Sequence, residues 1–142
     1  MTPLEAPADR IRAAWFAGAQ EHALGRAVGV NQFGVNHLTL APGAYSALRH
    51  WHEGEDEFVY VVEGEVSLID DNGEHVLTQG GFAGFPAGVA NAHHLANRSS
   101  SPASLIVVGA RQRGLETIHY PDDPELGIGT VLRDADGERV AR

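Results

Sequence analysis

The chain has 142 residues, of which 43% are hydrophobic and 20% charged, so its composition is that of one globular domain with a substantial core. Nineteen acidic residues against ten basic ones give a formal net charge of -9, which disfavours nucleic acids and anionic membrane surfaces as partners. The sequence contains no cysteine and no lysine, which excludes disulfides, thiolate metal ligands and Schiff-base chemistry. No apolar run reaches the roughly 20 residues of a membrane helix, and the first residues lack a secretory signal pattern, so we expect a cytoplasmic protein.

Glycines and prolines separate short segments rich in Val, Leu, Ile and Phe, a pattern typical of an all-β protein. We expect a single domain with three parts: an N-terminal extension over 1–32, a core over 33–110 and a C-terminal segment over 111–142. Residues 9–25 are compatible with a helix capped by Asp9 or with an edge strand. The C-terminal segment could wrap the core, reach a partner subunit or fray.

The core is predicted to contain at least seven short strands. The first covers residues 33–41 and is expected to pair with a second over 44–52. The run over 57–63 is nearly all apolar, as expected for a strand covered on both faces. Asn72 and Gly73 indicate a hairpin with a type I′ turn, which needs two positive φ angles. Further strands are predicted over 65–70, 74–78, 82–85, about 92–97 and 103–110. Without βαβ alternation, these strands predict a sandwich, a jelly roll or a closed barrel.

Two histidines end the second predicted strand. Alternate side chains of a strand share a face, so His50 and His52 point to one side with Leu48, while Trp51 points to the other. Glu57 opens the next strand on the face of its inward apolar residues, where a buried carboxylate needs a cation. Two imidazoles and a carboxylate can therefore converge on one metal ion.

The spacing around this pair resembles the two motifs of the cupin superfamily. The first motif is matched, with one extra residue after its first glycine, by Gly43, His50, His52, Glu57 and Gly64. The second is matched, with four residues in place of two before its histidine, by Gly80, Pro86, Gly88, His93 and Asn97. The chain is therefore similar to a small single-domain cupin over about residues 33–110. This resemblance implies a cupin jelly-roll, or double-stranded β-helix, barrel.

The resemblance also implies a four-ligand metal site at His50, His52, Glu57 and His93. The register after His93 favours it over His94, which alternates to the opposite face and is expected to be structural or to lie at the pocket rim. Three neutral imidazoles and one carboxylate suit a divalent transition metal: Zn, Fe, Mn, Ni, Co or Cu. Because a protonated imidazole cannot bind, metal loss is predicted below about pH 6, near the reference histidine pKa of about 6.5.

Other polar residues are assigned lesser roles. Glu53, Glu55 and Asp56 are expected to be solvent exposed in a charged turn. Asn36 is a candidate for the pocket wall, and Tyr60 is expected to face away from the metal. Asn97 is expected to fix a turn. Four further histidines are not expected to be ligands: His22, His37, His75 and His119.

The sequence leaves the activity open. It shows no nucleophile with an attendant base and no phosphate-binding glycine loop with lysine, so no catalytic residue is assigned. Our main interpretation is a metal-binding cupin that holds a small oxygen-rich molecule at the metal. The alternatives are a metal-dependent enzyme of the dioxygenase or sugar isomerase/epimerase type and a metal-free ligand-binding barrel. We also expect a homodimer, with the apolar ends around Trp15, Phe16 and Ile118 as candidate contacts.

Overall fold

The computed structural model describes residues 17–111, 114–123, 127–133 and 139–140, with side chains described as far as Gly127. These segments contain one short helix, α1 (Leu24–Ala27), which is not a membrane-spanning candidate by length or apolarity. All the other regular elements are strands: β1 (Ala19–Ala23), β2 (Phe33–Leu40), β3 (Trp51–His52), β4 (Glu57–Glu63), β5 (Glu65–Asp70), β6 (Gly73–Thr78), β7 (Phe82–Phe85), β8 (His94–Ala96), β9 (Ala103–Ala110), β10 (Gly114–His119), β11 (Ile128–Arg133) and β12 (Arg139–Val140).

The strands form three antiparallel sheets. A five-stranded sheet has the order β1-β2-β9-β4-β7, a three-stranded sheet the order β6-β5-β8, and a four-stranded sheet the order β12-β11-β10-β3. The hydrophobic core lies between the first two, because its buried residues come from β2, β4 and β9 on one side and from β5 and β8 on the other. The predicted all-β jelly roll is confirmed.

Strand β4 has one buried and one exposed face. Val59 and Val61 point inward and are 4% and 0% exposed, whereas Phe58, Tyr60 and Val62 point outward and are 39–43% exposed. The prediction that this strand is covered on both faces is therefore wrong. The outward residues of its apolar run lie on an outer sheet face that no other described element covers.

The predicted strand over 44–52 is mostly irregular. Only β3 is a strand, and the segment before it makes two isolated bridges, Tyr45 with Ala96 and His50 with His93. Strand β2 pairs with β1 and β9 instead. The chain turns away from β2 after Gly43, whose φ of 84° is in the left-handed region, and then crosses to the strand that contains Ala96.

The hairpin between β5 and β6 is confirmed, but its predicted turn type is wrong. Asp70 pairs with Gly73, and Gly73 has a φ of 115°, whereas Asn72 does not have a positive φ. The Asn72 N–H donates to Asp70 Oδ1 at 2.8 Å. An aspartate side chain therefore stabilises the turn in place of a second positive φ angle.

Both terminal segments add strands to the core. Strand β1 is an edge of the five-stranded sheet and α1 follows it directly; residues 9–16 of the open helix-or-strand prediction lie outside the described residues. Strand β10 pairs with β3 and buries Ile118 to 2% exposure. Ile118 therefore cannot supply the dimer contact predicted for it, while Trp15 and Phe16 lie outside the described residues.

Candidate metal centre

Three imidazoles surround one carboxylate oxygen at the end of β4. The Nε2 atoms of His50, His52 and His93 lie 3.4, 3.1 and 3.3 Å from Glu57 Oε1. Ligand atoms of His50, His52 and Glu57 all lie within 4.8 Å of one another. Glu57 Oε1 is buried and has no hydrogen bond of acceptable geometry. An unpaired carboxylate oxygen surrounded by imidazole nitrogens supplies the ligand atoms that a divalent transition metal requires, so the residues fit such an ion.

The backbone fixes the orientation of two rings. His50 Nδ1 donates to Leu48 O at 2.6 Å, and His93 Nδ1 lies 3.3 Å from Asn91 O. When Nδ1 carries the proton, the Nε2 atom has a lone pair that faces Glu57 and can bind a metal. The bridge between His50 and His93 holds the two rings 5.0 Å apart between centroids.

Two buried carboxylates lie near His52 Nδ1, the ring nitrogen that points away from Glu57. This nitrogen lies 3.8 Å from Glu55 Oε1 and 3.7 Å from Glu116 Oε1, and both glutamates are 2% exposed. The prediction that Glu55 is solvent exposed is therefore wrong. The Gly54 N–H donates to Glu116 Oε1 at 3.0 Å, so the turn that carries Glu55 folds inward against β10. Sequence reasoning missed Glu116, because its approach to His52 depends on the pairing of β10 with β3.

The structure places His93, and not His94, beside Glu57. The His93 ring is 5% exposed and stacks on Phe85 with 3.5 Å between centroids. His94 instead bonds through Nδ1 to Ala47 O at 2.8 Å. Burial, with a smaller contribution from the nearby Arg49 charge, lowers the pKa of His94, which favours its neutral form.

The Glu57 carboxyl group is held in its charged form. Burial alone raises its pKa, but the imidazoles of His50, His52 and His93 outweigh this effect and bring the pKa well below its usual range. The site therefore presents an anionic oxygen near neutral pH.

A cavity of about 770 Å³ opens beside the four residues. Asn36 lines it and Tyr60, which is 42% exposed, points to the other face of the sheet, both as predicted. Arg26 and Arg111 also line the cavity, and sequence reasoning did not single them out. The signal that could have indicated this wall is Gly34, since a glycine within a strand often marks a close approach of another group.

The remaining predicted residues have structural partners. Asn97 is fully buried, and its Nδ2 donates to Leu40 O and Ser101 O at 2.8 Å each, which confirms its turn role. Three of the other histidines form hydrogen bonds away from Glu57: His37 with Ser104, His75 with Asp70, and His119 with Glu53. His22 is exposed on the edge strand β1.

Comparison with known proteins agrees with this fold. The family model described as Cupin domain matches residues 36–109. A sugar phosphate isomerase of the cupin superfamily from Silicibacter pomeroyi shares 42% identity and a TM-score of 0.76, over 93% of this chain and 85% of that one. A protein of Acidithiobacillus ferrooxidans, provisionally described as a sugar phosphate isomerase, shares 30% identity and a TM-score of 0.73, over 86% of this chain and 74% of that one.

A curated relative matches more narrowly. The tetracenomycin polyketide synthase protein TcmJ of Streptomyces glaucescens is 32% identical over 79 residues, which are 56% of this chain and 51% of TcmJ. The chain thus matches about half the length of this relative. The family match covers just over half of the chain and includes Glu57 and the three histidines around it, so the chain belongs to the cupin family.

Proposed function

We propose that the protein is a metal-dependent cupin whose divalent transition metal is held by His50, His52, Glu57 and His93. The observation that supports this most strongly is the buried Glu57 Oε1, which has three imidazole Nε2 atoms within 3.4 Å and no hydrogen bond. When bound, the ion would supply Lewis acidity to the oxygen atoms of a small molecule in the adjoining cavity.

Elemental analysis of protein purified without added metal tests this proposal. We expect about one equivalent of a first-row divalent metal per chain, and loss of that metal in His50→Ala. His75→Ala is the matched control, because His75 lies on the surface and bonds to Asp70. Purified protein without metal, together with stability unchanged by added metal or chelator, would support the metal-free barrel instead.

At a finer level, we propose that the ligand is a sugar phosphate and the activity an isomerisation. The support is the relative from Silicibacter pomeroyi, which is described as a sugar phosphate isomerase and is 42% identical in an alignment that covers 93% of this chain. This similarity favours the isomerase alternative over a dioxygenase. The cavity volume of about 770 Å³ lies in the usual range for small-molecule sites.

Proton NMR in heavy water provides the test. An aldose–ketose isomerase transfers a hydrogen between adjacent carbons, and a transfer by proton removal exchanges with the solvent, so incubation with aldose and ketose phosphates should give interconversion and, by this route, deuterium incorporation at the carbon beside the carbonyl. His50→Ala should lose both signals. Metal-loaded protein that shows neither signal with any sugar phosphate would favour a binding module without turnover.

We also propose a homodimer that forms through the outer face of the five-stranded sheet. This face exposes Phe58, Tyr60 and Val62 on β4 and Phe82 on β7, which are 39–65% exposed. The outward positions of β4 from Phe58 to Val62, and those of β7 and β9, carry no charged residue; Glu63 lies beyond them at the end of β4. In a chain of net charge -9, an uncharged face is where two copies can meet with least repulsion, and a twofold axis places the same residues on both sides.

Light scattering measures this directly. We expect twice the 15.1 kDa mass of one chain, and the single-chain mass for Phe58→Asp. Val76→Asp is the control, because Val76 is 61% exposed on β6 of a different sheet. A wild-type mass of one chain, or a Phe58→Asp protein that remains dimeric, would contradict this interface.

A further inference from the structure

The four arginines whose side chains the structure describes fall into two groups by location. Arg49 pairs with Asp71 and Asp122, and Arg98 pairs with Glu74, so both contribute to ion pairs near the surface. Arg26 and Arg111 line the cavity that also contains the His50 and Glu57 side chains. These two arginines line one cavity together with three glutamates, Glu21, Glu55 and Glu57.

A glycine makes room for one of these guanidinium groups. A Cβ atom placed on Gly34 would lie 3.2 Å from Arg111 Nε and 3.5 Å from its Nη2. The inward positions of β2 on the same face include Gly34, Asn36 and Leu38, all of which line the cavity. The Arg111 guanidinium therefore lies against the bare backbone of Gly34 on the cavity side of the sheet.

Arg111 lies beside the same row of paired residues that contains Glu57 of the metal centre. Glu57 pairs with Gly109, and Gly109 pairs with Gly34, so two adjacent glycines form the sheet surface between Glu57 and the Arg111 guanidinium. Two strand spacings separate the backbones of Glu57 and Gly34 by about 10 Å. A small sugar-sized molecule can bridge that distance across the bare surface.

Asn36 supplies a polar group between the two ends. It is two positions from Gly34 on the same face of β2, and its Nδ2 donates to Glu21. Its Oδ1 is buried and has no hydrogen-bond partner. A ligand hydroxyl that donates to this oxygen would satisfy it.

We infer that Arg26 and Arg111 form an oxyanion-binding end of the cavity, which holds the phosphate or carboxylate group of a ligand whose hydroxyl oxygens reach the metal centre. Each guanidinium carries five N–H donors in a planar fork, which matches two oxygens of such an anion. Glu21 lines the same cavity and accepts the hydrogen bond from Asn36 Nδ2. The inference rests on the proposed function for the metal end, while the oxyanion end depends only on the two arginines.

Calorimetric titration of the full-length protein, as purified, with inorganic phosphate and separately with acetate tests the inference. We expect at least one of these anions to bind, and the tighter of the two to identify the preferred charged group. Arg26→Gln and Arg111→Gln should each weaken that binding at least tenfold, because each loses charged hydrogen bonds. Arg111→Lys should bind with intermediate affinity, because lysine keeps the charge and loses the fork. Arg98→Gln should bind as the wild type does, since Arg98 pairs with Glu74 outside the cavity.

Two further variants separate the possible failures. Gly34→Val keeps Arg111 but fills the space beside its guanidinium, so it should also weaken anion binding while the fold, followed by circular dichroism, is retained. His50→Ala should lose the metal and still bind the anion through the arginines. Anion binding that is absent, or unchanged in both glutamine variants, would overturn the inference, whereas a metal-free wild type with arginine-dependent anion binding would contradict only the metal proposal.

Discussion

The inner face of the five-stranded sheet has two ends that are built from the same three strands and differ in chemistry. One row across β4, β9 and β2 consists of Val61, Leu105 and Leu38, which are 0–5% exposed. Four residues earlier in β4, the corresponding row consists of Glu57, Gly109 and Gly34 and borders the cavity. The first row fills the core, whereas the second leaves space and places one charged group in it. The apolar end should therefore determine stability and the glycine end should determine binding.

The largest expected effect is on stability. Leu105→Ala should lower the free energy of unfolding by about 2–5 kcal/mol, because it removes a fully buried side chain and leaves a cavity. Chemical denaturation measures this change. Leu115→Ala is the control, since Leu115 is 70% exposed, and should change the free energy of unfolding by less than about 0.5 kcal/mol. Equal effects of the two substitutions would contradict the assignment of the core to this row.

Glu57→Gln tests the opposite end of β4. It replaces the charged oxygen beside the three imidazoles with a neutral amide, so metal affinity should fall by more than about 100-fold, the upper loss typical of a supporting residue. Competition with a chelator of known affinity measures the change. Glu63→Gln, at the exposed end of the same strand, should leave affinity unchanged. Wild-type affinity in Glu57→Gln would remove this carboxylate from the ligand set.

A smaller effect is expected for the carboxylate behind His52. Glu116→Gln keeps the size of a buried side chain but removes the charge 3.7 Å from His52 Nδ1, and should weaken metal binding by about 10–100-fold. Glu65→Gln, which is exposed on β5, is the matched control. The same chelator competition applies, and an affinity equal to that of the control would show that Glu116 has only a structural role.

The mildest perturbation is a change of pH. The pKa of Glu57 is lower in the folded protein than its unfolded value of about 4.3. The ionised carboxylate therefore contributes folding stability above that value, and this stability is lost only as the pH falls toward the lowered pKa. Glu57 thus stays ionised between pH 7 and pH 5, and metal release in this window should follow protonation of the imidazoles. Metal content after gel filtration should fall as pH drops below about 6. Full metal content at pH 5 would contradict an exchangeable histidine site.

Turn residues that separate short segments made much of the fold predictable from the sequence. The bounds of β4, β5, β7 and β9 match the predicted segments, because each strand is an apolar stretch between turn residues. The segment 44–52 was not predictable in this way, since its two bridges depend on residues more than forty positions away. The exposed face of β4 also escaped prediction, because an apolar run does not reveal whether a second layer covers it.

The site shows the same division between local and long-range information. His50, His52 and Glu57 are close in sequence, and strand alternation places them together. Glu55, by contrast, follows the pattern of a solvent-exposed turn but is buried, in a turn where Gly54 donates a hydrogen bond to Glu116 of β10. The place of Arg111 likewise depends on Gly34, 77 positions earlier in the chain, which the strand pairing brings beside it. Contacts made through pairing between distant strands carry little signal in one sequence.

X-ray absorption spectroscopy of the metal-loaded protein tests the central claim most directly, because it reports the atoms bound to the ion. The proposed site predicts three imidazole nitrogens and one carboxylate oxygen, at about 2.0–2.2 Å if the ion is zinc. His93→Ala should reduce the imidazole count from three to two, while His94→Ala should leave it at three. A spectrum without histidine scattering, or one in which His94→Ala and not His93→Ala removes an imidazole, would contradict the proposed site.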